Sequence, residues 1–177
     1  MNIKTVAAVM TTCLLSAGVA GAQAPAQQQD VKVTTTKLGG NVYAIDGQGG
    51  RMTALVGPDG IFLVDAQFPQ VTEKIVAALR EIAPDQRIRL LVNTHVHGDH
   101  TGGNENFAKD GVTVVAHDNI RVRLAAGTIS GITGQKAPPR PAEGLPKQTY
   151  TGGSIALEVG GRKAQLTYIA NAHTDGD

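Results

Sequence analysis

Four side chains able to ligate a metal ion fall within six residues, in the run Thr94-His95-Val96-His97-Gly98-Asp99-His100. Imidazole nitrogen and carboxylate oxygen are donors that zinc accepts, and iron or manganese accept the same set. His95 and His97 are two residues apart, so on an extended backbone they point the same way. Asp99 and His100 are neighbours and are expected to diverge, facing a second point. Four donors aimed in two directions suit two adjacent ions better than one closed tetrahedral site. Gly98, Gly102 and Gly103 allow the chain to fold sharply around them. A fifth donor, His173, stands far downstream in Asn171-Ala172-His173-Thr174-Asp175-Gly176-Asp177. A histidine just past a strand can supply the third ligand of a catalytic site, whose fourth position is left for water. Read alone, His173 serves equally well as part of a polar turn.

The elements that must position these donors are legible in outline. Val31–Lys37, Asn41–Ile45, Met52–Val56 and Ile61–Val64 are short β-branched runs separated by Gly- and Pro-containing turns, the pattern of a β-meander. From Pro69 to Ile82 the period changes, and Val71, Ile75, Ala78 and Leu79 share one face of an amphipathic helix. Arg87–Val92 reads as a buried strand, so the donor cluster is expected at a strand's carboxyl end, where open α/β sheets place their ligands. Gly98–Gly103 reads as a glycine-containing loop, Val112–Ala116 as a strand, and Asn119–Ala126 as a helix capped by Asp118. Gly127–Lys147 lacks periodicity and is expected to be a long functional loop. Further strands are expected at Thr149–Thr151, Ser154–Leu157 and Lys163–Ile169. His117 fits no ligand spacing and is read as structural.

The N-terminus reads as an export signal rather than part of the fold. Lys4 precedes the apolar run Val6–Ala20, and small residues close it, which makes residues 1–24 a secretory signal peptide. Residues 25–30 follow as a disordered lead-in. Removing the leader takes away one lysine and no acid, leaving 15 basic and 15 acidic side chains. That balance argues against nucleic acid as a partner and against an anionic membrane surface. The run is too short to be read first as a membrane span, so no stable anchor is expected after cleavage. The single cysteine, Cys13, leaves with the leader, so the exported chain has no disulfide available. A periplasmic or secreted protein of this kind must be held by its core and by metal. Nothing in the sequence specifies an oligomeric state.

The run Thr94–His100, followed by Thr101-Gly102-Gly103-Asn104, resembles the first motif of the metallo-β-lactamase superfamily. His173-Thr174 resembles its second histidine motif, and Ile61–Asp65 its strand ending in an aspartate. The similarity runs from about Val31 to the last residue. It implies an α+β fold, the αβ/βα four-layer sandwich of that family, of which residues 31–177 would form the first half to two-thirds. It implies two zinc ions, with His95, His97 and His173 on one and Asp99 and His100 on the other. The family's remaining ligands to the second ion lie further along than Asp177. Asp65 is implied as a carboxylate that supports the ligand loop through hydrogen bonds. The expected activity is attack by metal-activated hydroxide on an amide, ester or thioester carbonyl of a small molecule, with Asp99 orienting the nucleophile and taking its proton. A β-lactam is one such substrate. A glyoxalase-like thioester or a lactone is another, and a non-catalytic zinc-binding protein is the reading from a different class.

Overall fold

Alternation of apolar side chains builds a sheet that is buried on both faces. In the computed structural model, which describes residues 30–129, 133–159 and 161–177, seven strands form one sheet in the order β1-β2-β3-β4-β5-β6-β9. The first four are the expected meander: β1 (Thr34–Gly39), β2 (Val42–Asp46), β3 (Met52–Gly57) and β4 (Gly60–Val64), each antiparallel to the next. From β4 the pairing becomes parallel, through β5 (Ile88–Val92), β6 (Thr113–His117) and β9 (Gln148–Tyr150). Parallel neighbours need crossovers, and helices supply them. A 3-10 turn (Pro69–Val71) and α1 (Thr72–Ile82) join β4 to β5. Helices α2 (Gly98–Thr101) and α3 (Asn104–Lys109) join β5 to β6, and α4 (Asp118–Ala126) follows β6.

Successive residues of each central strand serve opposite faces, as the two-residue period requires. Ile61, Leu63, Leu91 and Val114 pack with Ile75 and Leu79 of α1 and Phe107 of α3. Their neighbours Phe62, Val92 and Val115 pack on the other side against Leu157 and Val159. Those two belong to β10 (Ser154–Val159), which forms an antiparallel ribbon with β11 (Arg162–Thr167). The result is a helix layer, a central sheet and a second β layer.

Three local expectations need correction. The stretch from Gly98 to Gly103 is not an open loop, because α2 and α3 begin within and directly after it. His117 rather than Asp118 caps α4, its Nδ1 accepting the Asn119 N–H at 3.2 Å. The aperiodic stretch 127–147 carries a two-stranded ribbon, β7 (Thr128–Ile129) with β8 (Lys136–Ala137), and a 3-10 turn at Ala142–Gly144. The expected leader, residues 1–24, and all of the lead-in except Asp30 lie outside the described residues. Among the described residues, no helix is long and apolar enough to cross a membrane.

Candidate metal centre

The donors gather where β4 and β5 end side by side. Backbone pairing continues one residue past each strand, with Asp65 N–H donating to Val92 O at 2.7 Å and Asn93 N–H to Val115 O at 3.0 Å. The chain then leaves the sheet twice, at Asp65–Gln67 and at Thr94–His100. Asp65 and Gln67 both hold left-handed backbone, φ 70° and 54°, which non-glycine residues adopt at some cost and which clusters at functional sites. Both are buried, Asp65 at 4% and Gln67 at 0% exposure.

Asp65 organises the ligand loop. Its carboxylate accepts from the Thr94 N–H at 2.8 Å and from the Thr94 hydroxyl, and it lies 2.8 Å from Nδ1 of His100. An ionised carboxylate can only accept, so the His100 proton belongs on Nδ1 and leaves a lone pair on Nε2. The same logic continues through Thr94. Its hydroxyl hydrogen is committed to Asp65, so Nδ1 of His95, 3.0 Å away, must donate to Thr94 Oγ1. His95 Nε2 is thereby also left as an acceptor. One carboxylate thus sets the tautomer of two imidazoles, the arrangement in which a ligating histidine gives its other N–H to a supporting group. Burial first, then the neighbouring His100 and His97, hold His95 below the ordinary histidine range, against the opposing pull of Asp65. The neutral form that ligates metal is therefore favoured.

His95, His97 and His173 each bring one nitrogen into a group whose members lie within 4.8 Å of one another. Nδ1 of His97 and Nε2 of His173 are 3.1 Å apart across 76 residues of chain. Tetrahedral zinc with Zn–N of about 2.0–2.1 Å holds neighbouring nitrogens about 3.3 Å apart, so this donor set fits the ion. The second pair does not diverge as expected from two adjacent residues. Both sit on α2, and helical geometry brings His100 Nε2 to 3.3 Å from Asp99 Oδ2, again a spacing that one ion can bridge. The two groups are contiguous, since the His95 and His100 rings lie 4.0 Å apart between centroids.

Several residues that build the centre were not singled out from the sequence. Gln67 pins the β2–β3 turn over it: Gly49 N–H donates to Gln67 Oε1 at 2.9 Å, and the Gln67 amide donates to Gly50 O. That turn approaches so closely that a Cβ on Gly49 would meet Asp99 Cβ at 2.7 Å, and one on Gly50 the His100 ring at 2.7 Å. Asn93 and Asn104 exchange amide hydrogen bonds of 3.0 and 2.9 Å beneath the loop, and Asn93 also donates to His100 O. The signal for Gln67 was the polar residue inside Val64-Asp65-Ala66-Gln67-Phe68 at a strand's end. The His173 loop is clamped to α4, with the Arg123 guanidinium donating twice to Asp175 at 2.6 and 2.8 Å and Asn119 donating to Asp175 O. His117, read as structural, stacks on Tyr168 at 4.0 Å, and the Tyr168 hydroxyl donates to Asp175 O of the same loop at 3.3 Å.

A histidine cluster at the carboxyl ends of parallel strands, with a carboxylate beneath it, makes a candidate metal centre on an α+β sandwich. Residues 36–176 match the metallo-beta-lactamase superfamily, and the chain belongs to it. The 2,4-dinitroanisole O-demethylase subunit alpha of Nocardioides sp. strain JS1661 is 26% identical over 156 residues, covering 86% of this chain and 44% of its own. Among solved structures, the subclass B3 metallo-beta-lactamase BJP-1 of Bradyrhizobium japonicum superposes with a TM-score of 0.66 at 22% identity, covering 80% of this chain and 53% of that one. The class B3 di-zinc metallo-beta-lactamase LRA-12 from an Alaskan soil metagenome gives 0.65 at 17% identity, covering 80% and 54%. The fold is thus the expected metallo-β-lactamase sandwich, and the chain spans about half the length of these relatives.

Proposed function

We propose that this chain carries the metal-binding half of a zinc-dependent hydrolase acting on an amide, ester or thioester carbonyl of a small molecule. The observation that carries this reading is the convergence of His95, His97 and His173 from two distant loops into one nitrogen cluster. In this proposal those three hold one ion, and Asp99 with His100 hold a second. Zinc so held supplies a water acidified to a pKa of about 7 and a Lewis acid for the carbonyl oxygen. Asp99, half-buried beside His100, would orient a water held there and would take up its proton. Asp65 fixes the tautomers of His95 and His100 so that both present lone pairs. The β2–β3 turn over Asp99 and His100 shields their side chains. The solved neighbours named β-lactamases favour a lactam as substrate, and an exported location, also proposed here from residues 1–24, suits an enzyme that meets such compounds outside the cytoplasm. A second reading follows from the O-demethylase relative, namely cleavage of an aryl methyl ether.

Zinc-loaded protein assayed against a chromogenic β-lactam, a glutathione thioester, a lactone and 2,4-dinitroanisole tests the proposal. Turnover of one of the first three, abolished by chelation and by His97→Ala, is the expected result. Turnover of the ether alone selects the second reading. Turnover that survives chelation contradicts both.

A further inference from the structure

A cavity of about 710 Å³ opens beside His97. Its apolar lining includes Phe68, Val96, Leu124 and Ile129. The β7–β8 ribbon and the segment after it also line the cavity and contribute Lys136 and Arg140. The ribbon is held close to the end of α4. Gly127 has a positive φ of 80°, and a Cβ there would lie 2.7 Å from Ala137 O, while Arg140 N–H donates to Leu124 O at 2.9 Å.

The charges in this cavity are unbalanced although the chain's charges nearly cancel. Arg123 also lines it but is neutralised by its two hydrogen bonds to Asp175, the one carboxylate on the lining among the described residues. Among the described residues, neither Lys136 nor Arg140 forms an ion pair. A lining that combines these apolar side chains with two cations outside any ion pair is complementary to a molecule that has an apolar body and an anionic end.

Building on the metal-centre reading above, we propose that this cavity is the substrate groove and that Lys136 and Arg140 select small apolar molecules bearing a carboxylate. Lys136, Arg140 and His97 line the same cavity, so a carboxylate held by the two cations leaves the rest of the molecule among the apolar lining residues and beside His97. Lys136 is exposed and Arg140 half-buried, so their attraction is screened by salt, with a Debye length of about 10 Å at 0.1 M.

The test is calorimetric titration of zinc-loaded protein with phenylacetate and with phenylacetamide, at low ionic strength. Phenylacetate is expected to bind about tenfold more tightly, and the preference to fall to about twofold in Lys136→Ala/Arg140→Ala and in raised salt. The double variant Arg80→Ala/Arg87→Ala makes the same charge change at a cavity lined by α1 and the start of β5, and is expected to keep the preference. Equal binding of the two probes overturns the inference, as does a preference that survives in Lys136→Ala/Arg140→Ala, which assigns the carboxylate to the metal alone. An equal loss in both double variants reduces it to net charge and also overturns it. Zinc affinity is measured on the same samples. Loss of zinc binding in His97→Ala with the carboxylate preference of the wild type established supports the metal reading and this one separately, whereas zinc binding that is indifferent to His97 overturns the former alone.

Discussion

Asp65 and Thr94 decide which nitrogen of each neighbouring histidine carries a proton, so the chemistry of the centre begins with residues that need not touch an ion. Asp65→Asn tests this cleanly. Asparagine tolerates the left-handed backbone that Asp65 occupies, so the substitution changes charge and acceptor capacity with little strain. Removing a supporting partner typically costs 10–100-fold in metal affinity. A competition titration with a chromophoric chelator is expected to show a loss of that order for zinc in Asp65→Asn, with the circular dichroism spectrum unchanged. An unchanged affinity removes Asp65 from the account. His95 adds a pH dependence to the zinc-free protein. Its folded value lies below the ordinary 6.5 because it is buried, so as pH falls the unfolded chain takes up the proton first. Its contribution is complete above about pH 6.5 and is lost as pH drops towards the folded value. Urea midpoints of the chelated protein are expected to fall between about pH 7.5 and about pH 5.5, with a shallower slope in His95→Asn.

At the scale of elements, two turns hold the donors in place. The β2–β3 turn lies so close to α2 that Gly50 has room for no side chain against His100. Gly50→Ala is therefore expected to displace His100 and weaken the Asp99–His100 pair while leaving His95, His97 and His173 in position. Native mass spectrometry checks this as loss of the weaker zinc with retention of the tighter one. The His173 loop depends on α4 through Arg123 and Asp175, whose side chains are about half exposed at 50% and 42%. Such a pair contributes only about 0.2–1 kcal/mol to stability. Arg123→Ala is thus expected to leave the thermal midpoint nearly unchanged yet to weaken zinc binding about tenfold, because His173 loses its anchor. A large stability loss with intact zinc affinity reverses that assignment. Sequence alone made His95, His97, Asp99 and His100 legible, because their spacing sits in one short run after an apolar strand. It could not show that Asp99 and His100 converge, since that depends on α2, a four-residue helix too short to have a period. Nor could it reach Gln67 or Arg123, which act across 18 and 52 residues of chain.

Across the whole molecule, the sheet's two faces and its carboxyl edge do separate work. The face carrying Ile61, Leu63 and Leu91 is buried by α1 and α3, and the other by the β10–β11 ribbon. Alternation in β4, β5 and β6 made this two-sided burial readable, whereas the switch from antiparallel to parallel pairing after β4 was implied only by the intervening helix. The edge is left for ligands, and there the donors come from the segment after β5 and the loop after β11, with Asp65 after β4 holding the first of these in place. An ion shared by these segments stabilises the folded chain by mass action, about 2.7 kcal/mol at a hundredfold excess over its dissociation constant. Since that edge joins segments from Asp65 to His173, the central claim is tested most directly by titrating zinc into the metal-free protein and into His173→Ala, with stoichiometry read by elemental analysis. One tight zinc per chain, followed by a weaker second, with the tight event weakened at least tenfold in His173→Ala, is the predicted result. Zinc that binds equally well without His173, or no tight zinc at all, would contradict the account.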